Sequence, residues 1–224
     1  MALYIVSTPI GNLKDITLRA LEVLKSVDFI ACEDTRVTAR LLSRYNIQKP
    51  LISYHSYNKL QQGNLLIEKL KSGQSGALVS DSGTPGVSDP GSLLISQAIE
   101  AGIDISVIPG PSALLAALSA SGFPSDNFYF CGFLSSKANR RKRQLEELKK
   151  LKTTVVFYEA PHRILKTLND ILEIFGDIEI CLAREMTKKF EEIRREKVSL
   201  SLHHFSKTPS RGEFVIVIGK TSKK

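Results

Sequence analysis

Residues Ser80-Asp81-Ser82-Gly83-Thr84-Pro85-Gly86-Val87-Ser88-Asp89-Pro90-Gly91 carry the most chemical content in the chain. They follow an apolar, strand-like run, Gly76-Ala77-Leu78-Val79, and precede a helix-like run rich in Leu and Ile. Glycine permits unusual backbone angles and close approach, and proline fixes a turn. Asp81 is placed at the carboxyl edge of a sheet, where open α/β folds hold their ligands. The plainer reading is an ordinary strand-to-helix loop, although such loops are usually short. Three more strand-like runs end in turn-forming residues with polar groups: Thr8-Pro9-Ile10-Gly11-Asn12, Glu33-Asp34-Thr35-Arg36 and Pro109-Gly110-Pro111-Ser112-Ala113. Neither GxGxxG nor GxxxxGK[ST] occurs, so the common dinucleotide and phosphate-loop readings have no support.

The elements that would position these residues alternate. Strand-like runs at 3–6, 29–32, 51–54, 77–79 and 105–108 are separated by helix-like stretches with apolar residues at helical spacing. This predicts an α/β domain with a mostly parallel sheet covered by helices. Its four turns would then lie on one edge and converge on one ligand. The texture changes after Ser121-Gly122-Phe123-Pro124-Ser125, which sets the expected domains at 1–121 and 122–224. Strand-like runs at 128–133, 154–158, 178–183, 192–195 and 214–218 predict an α+β domain with a mixed sheet. One helix there shows an apolar stripe of Ile164, Leu165, Leu168, Ile171, Leu172 and Phe175. Another begins near Lys137 and carries Arg140, Arg141 and Arg143, with Leu145, Leu148 and Leu151 as its apolar side. Lys220–Lys224 is a polar tail expected to fray.

The charge follows this division. The formal net charge is +8; residues 1–120 hold 10 Lys/Arg and 10 Asp/Glu, so the whole excess lies in the second half. That half suits a polyanion, and nucleic acid is the commonest one, although a solvated basic face needs no partner. Arg140, Arg141 and Arg143 are the expected phosphate contacts. Hydrophobic content of 42% is globular. No apolar run is long enough to span a bilayer, and the first residues read as a strand rather than a signal peptide. The three cysteines (Cys32, Cys131, Cys181) are scattered within apolar segments and predict buried thiols and a reducing cytoplasm. No cluster with metal-ligand spacing is present, so no metal is expected.

Taken in order, the turns together with Gly132-Phe133-Leu134 and Lys137, Glu159-Ala160-Pro161-His162-Arg163, Ala183-Arg184-Glu185-Met186-Thr187-Lys188 and Arg211-Gly212-Glu213 resemble the ribosomal RNA small subunit methyltransferase I family, over nearly the whole chain. That family is of the tetrapyrrole methylase-like class. The resemblance implies two α/β domains with S-adenosylmethionine in the cleft between them, a homodimer, and 2′-O-methylation of a cytidine ribose in 16S rRNA near the decoding centre, on free RNA or the small ribosomal subunit. It implies cofactor contacts at Ile10, Ser80, Asp81, Val87, Ser112, Ala113, Glu159 and Met186. The chain departs from the family at Tyr57 and Lys59, where members carry His and Glu around Asn58, and at Ser135, where they carry Pro. Most members also continue past the last strand into a small further domain.

A ribose hydroxyl is a weak nucleophile, so such a reaction needs alignment and a proton acceptor. Asp34 is the first candidate acceptor, and it equally fits the N-cap of a helix over 35–45. Arg36 would hold the target phosphate, with Asn12 and Lys137 orienting the ribose; each also suits a loop-fixing hydrogen bond. Two rival functions stand beside this one: a tetrapyrrole C-methyltransferase on the same fold, and a non-catalytic ribosome-binding homologue.

Overall fold

The computed structural model describes residues 2–208 and 211–219. The tail Lys220–Lys224 lies outside the described residues. The chain forms two compact units, Met1–Ser112 and Ala113–Lys224.

The first unit alternates strands and helices: β1 (Ala2–Val6), α1 (Leu18–Ser26), β2 (Phe29–Cys32), α2 (Thr35–Arg44), β3 (Leu51–Ser53), α3 (Lys59–Lys71), β4 (Gly76–Val79), α4 (Gly91–Glu100) and β5 (Asp104–Ile108). The sheet order is β3-β2-β4-β1-β5 and every pairing is parallel. Strands β2 and β4 are wholly buried, which is why they read as unbroken apolar runs: a strand covered on both faces has no polar side. One face packs Ala20, Leu24, Leu41 and Leu42 of α1 and α2 over Val6, Ile30 and Val79. The other packs Leu66, Leu70, Leu94 and Ala98 of α3 and α4 over Ile5, Phe29 and Leu78. Thr17 and Asp34 cap α1 and α2, their side chains accepting from Ala20 N–H and Arg36 N–H.

The second unit holds α5 (Ala113–Ser121), β6 (Phe128–Phe133), α6 (Ala138–Lys150), β7 (Thr154–Glu159), α7 (Ile164–Phe175), β8 (Glu179–Arg184), β9 (Glu192–Lys197), α8 (Val198–Lys207) and β10 (Phe214–Ile218). Its sheet runs β6-β7-β10-β8-β9, with β6 and β7 parallel and the other neighbours antiparallel. Leu145, Leu148, Ile164, Leu168, Ile171, Val198 and Phe205 from α6, α7 and α8 cover Val155, Phe157, Leu182 and Ile216. Leu151, expected on the apolar side of α6, caps that helix instead and is partly exposed.

The units divide before α5, whereas the sequence reading divides the chain after it. Helix α5 packs against β7, β8 and β10, which carries it into the second unit. Cys32 and Cys181 are buried and Cys131 is half-buried; all three are free, and burial pushes the Cys131 thiol up to about 12.

Candidate functional site

Adjacent strands β1 and β4 send their chains to opposite faces of the first sheet, because α1 and α4 belong to different cores. Chains that part in this way leave a crevice at the carboxyl ends of the strands, the usual ligand position in open α/β sheets. The turns around it are stitched together. Thr8 N–H donates to Gly83 O at 2.9 Å, and Gly83 N–H donates to Thr8 O at 3.1 Å. The Thr8 hydroxyl donates to Ser80 O at 2.9 Å, and the Ser7 and Thr84 hydroxyls lie 3.0 Å apart. Thr84 Oγ1 donates to Pro111 O at 3.4 Å, and Asp34 N–H donates to Asp81 Oδ1 at 3.0 Å. Gly83 has φ +83°, and a methyl group there would stand 3.7 Å from Ile10 Cγ2 and 3.8 Å from Pro111 O. All four strand ends singled out in the sequence therefore meet within this unit.

The loop after β4 closes on itself, with Asp89 Oδ1 accepting from Gly86 N–H at 2.7 Å and Gly91 N–H at 2.8 Å. Ser88 is held at φ 63°, a conformation that disfavours side chains and marks stored strain. Val87 is partly exposed on this loop, Ser80 is buried and Ser112 is half-buried.

The carboxyl groups at this edge differ sharply. The Asp34 carboxylate accepts from the Arg36 guanidinium (2.6 Å at Nη2) and from Arg36 N–H, which holds it well down, at about 2. That state is a cap and an ion pair, a weak basis for taking a proton near neutral pH. Arg36 itself is well exposed. Asn12 Oδ1 accepts from Lys14 N–H at 3.1 Å and caps the short 3-10 helix Leu13–Asp15. Burial pushes the Asp81 carboxyl up, offset in part by the Asp34 N–H. Glu33, the first residue after β2 and not among the expected site residues, is also pushed up, by burial and by the charges of Asp81 and Asp89. Half-buried carboxyls raised in this way favour a cation beside them. Of the like charges acting on Glu33 only Asp34 is its neighbour in sequence; the larger effects of Asp81 and Asp89 come from the loop after β4, which the local sequence does not signal.

In the second unit two expectations need correcting. Glu159 is 0% exposed, and its carboxylate is consumed inside the fold. Ala160 N–H donates to it at 2.8 Å, the Thr167 hydroxyl at 2.5 Å, and Arg163 Nε lies at 3.1 Å. Its side chain is therefore closed to a cofactor. Arg141 is 3% exposed, with Nε 2.6 Å from Asp170 Oδ2. It sits four and seven residues before Leu145 and Leu148, on the stripe that faces the core, and so cannot serve as a surface phosphate contact. Lys137, at the N-cap of α6, and Arg140 and Arg143 are exposed, and these two arginines form no ion pair among the described residues. Ala113 is the first residue of α5.

Met186 is buried within a turn whose neighbours Glu185 (φ 49°) and Thr187 (φ 66°) both adopt left-handed backbone. Thr187 N–H donates to Glu191 Oε2 at 2.6 Å, and Lys188 Nζ lies 2.8 Å from Glu185 Oε1. Gly212 (φ +73°) closes over this turn, and a methyl group there would land on the Glu185 carboxylate. Gly212→Ala is therefore expected to destabilise the protein by about 1–3 kcal/mol through strain and overpacking. Urea denaturation reads this, and an unchanged midpoint would show that the turn gives way freely.

A family model described as tetrapyrrole (corrin/porphyrin) methylases matches residues 2–200. The chain is 48% identical over 216 residues to the ribosomal RNA small subunit methyltransferase I of Bacillus subtilis, covering 96% of this chain and 74% of that protein. It is 49% identical to the protein of the same name from Thermotoga maritima, covering 96% and 97%. Among solved structures, uroporphyrin-III C-methyltransferase from Thermus thermophilus complexed with S-adenyl homocysteine shares the fold at TM-score 0.68 and 19% identity, covering 98% of each chain. The chain therefore belongs to the tetrapyrrole methylases and, within them, to the ribosomal RNA small subunit methyltransferase I family.

Proposed function

We propose that this protein transfers a methyl group from S-adenosylmethionine to the 2′-oxygen of a cytidine ribose in 16S rRNA near the decoding centre, working as a homodimer in the cytoplasm on free RNA or the small subunit. The observation that carries the reading is identity near one half, over 96% of the chain, to relatives named for methylating this RNA. The net positive charge of the second half supports it independently. Among the described residues no helix is long and apolar enough to cross a membrane.

The crevice residues suit the cofactor. Asp81 is a half-buried carboxyl suited to its ammonium group, and Gly83 leaves room between Ile10 and Pro111 that a side chain would fill. Ser80, Val87 and Ser112 complete the proposed contacts of the first unit; in the second, the family resemblance proposes Ala113, Met186 and, by its main chain, Glu159. When bound, S-adenosylmethionine supplies an electrophilic methyl on a sulfonium. The remaining work falls to the protein: hold the ribose, exclude competing water and take the hydroxyl proton. Glu33 suits the proton better than Asp34, which the Arg36 ion pair holds as a stable anion. Arg36, Asn12 and Lys137 remain the proposed groups for phosphate and ribose.

The test incubates the protein, methyl-labelled cofactor and small-subunit RNA with and without EDTA, then cleaves with alkali. A methylated 2′-oxygen cannot attack the neighbouring phosphate, so label at a single alkali-resistant cytidine linkage is expected, unaffected by EDTA. Label on a base, or on uroporphyrinogen in place of RNA, would overturn the reading. A strictly monomeric active enzyme in sedimentation would overturn the dimer.

A further inference from the structure

Strand β6 is the terminal strand of its sheet, and it is unusually aromatic: Phe-Tyr-Phe-Cys-Gly-Phe. Phe128, Phe130 and Phe133 pair with Thr154, Val156 and Tyr158, which alternate along β7, so all three rings share one sheet face. The rings of Phe130 and Phe133 lie 5.0 Å and 5.5 Å from that of Tyr158. Phe128 remains 39% exposed and Phe133 42%; Tyr129, 48% exposed, faces the other side of the same strand. Leaving so much aromatic surface in water is costly unless something covers it.

One occupant would be the edge strand of a second copy, and the local backbone opposes it. The register of β6 slips between Phe130 and Phe133, where Gly132 takes φ 63°. Bulges of this kind bend an edge strand and spoil its ladder for strand addition. The neighbouring charge points elsewhere. Lys137 lies four residues after Phe133, so the chain allows at most about 14 Å between their Cα atoms. Lys137, Arg140 and Arg143 at the start of α6 are exposed, with the two arginines uncommitted to carboxylates among the described residues. Two like-charged copies would repel here, whereas a polyanion would be drawn in. Exposed rings beside exposed cations are what unpaired RNA binds: bases stack on rings and phosphates meet cations.

We infer that the aromatic face of β6 and β7, together with the basic start of α6, binds a single-stranded stretch of the RNA substrate, with its bases stacked on Phe128 and Phe133. This rests on the proposed RNA substrate and adds where and by what chemistry the strand is held. The arrangement separates two contributions. Phosphate contacts at Arg140 and Arg143 set the salt dependence, while stacking adds affinity that salt leaves untouched.

The experiment titrates a labelled single-stranded oligonucleotide of small-subunit rRNA with the full chain at several salt concentrations. The pair Phe128→Leu and Phe133→Leu keeps apolar bulk but removes the ring faces; Phe128→Tyr with Phe133→Tyr restores them. The leucine pair is expected to bind roughly tenfold or more weakly with an unchanged salt slope, and the tyrosine pair to bind like the parent. Arg140→Ala with Arg143→Ala should instead flatten the slope. Leucine-pair binding equal to the parent would overturn the inference while leaving the RNA substrate in place. A leucine pair that turns a dimeric parent monomeric in sedimentation would show the face to be an interface between copies, which also overturns it. If the parent itself fails to bind the oligonucleotide, the RNA reading falls and the inference with it. Thermal melting of each pair confirms that a loss is not unfolding, as expected for partly exposed side chains.

Discussion

Arg141→Ala is expected to remove about 3–5 kcal/mol of stability, the largest loss of any single arginine on α6. The guanidinium Nε is 2.6 Å from Asp170 Oδ2, and both side chains are almost withdrawn from water. Truncation would strand the Asp170 carboxylate in a low-dielectric setting, with Lys142 at 3.9 Å the one cation left to answer it among the described residues. Arg140→Ala and Arg143→Ala leave an exposed face and should shift stability by no more than about 0.5 kcal/mol. The double change Arg141→Met with Asp170→Leu removes both charges and should recover most of the loss, because a buried pair often does no better than well-packed apolar groups. Urea denaturation of the four variants gives the comparison. If Arg141→Ala matches its exposed neighbours, the ion pair is not what holds α6 to α7.

The same pair shows what the sequence could and could not reveal. The run Arg140-Arg141-Lys142-Arg143 reads as one basic cluster, yet the helix turns position 141 toward the core, and the acid that neutralises it arrives from α7. Glu159 was hidden for the same reason: its partner Thr167 is set by the fold rather than by a motif. The parallel sheet, by contrast, was legible because its central strands are covered on both faces and leave no polar alternation to confuse the pattern. Helix α8 was not. Ser199-Leu200-Ser201-Leu202 alternates with period two, like a strand, while the residues that pack are Val198, Ser201 and Phe205 at helical spacing. The boundary was misleading in another way. Gly122 and Pro124 punctuate the chain strongly, but packing of α5 on the second sheet outweighs that local signal. At the crevice, the convergence of four turns followed from parallel topology alone, and the contrast between Asp34 and Glu33 did not. It depends on Arg36 folding back on one carboxylate, and on burial of the other with Asp81 and Asp89 near it.

Asp81→Asn is expected to weaken S-adenosylmethionine binding by about 1.5–3 kcal/mol, the range for losing a charge-assisted hydrogen bond. Asparagine is the informative replacement because Asp81 has two tasks. Its Oδ1 accepts Asp34 N–H at 3.0 Å, which ties the end of β2 to the loop after β4, and an amide oxygen can keep that bond. What asparagine cannot keep is the negative charge proposed to meet the ligand's ammonium group. Asp81→Ala removes both and should lose stability as well as affinity. The charge also predicts a pH dependence. Burial holds the Asp81 carboxyl above its ordinary value, so it gains a proton earlier as the solution is acidified. Affinity of the parent should therefore be full while Asp81 is ionised and fall as pH drops through its raised pKa. The asparagine variant, with no charge to lose there, should start weaker and lack that fall. Calorimetric titration across the acidic range measures both. Equal affinity of parent and Asp81→Asn at neutral pH would reduce Asp81 to a brace between two strand ends, and the ammonium contact would have to be sought at Glu33.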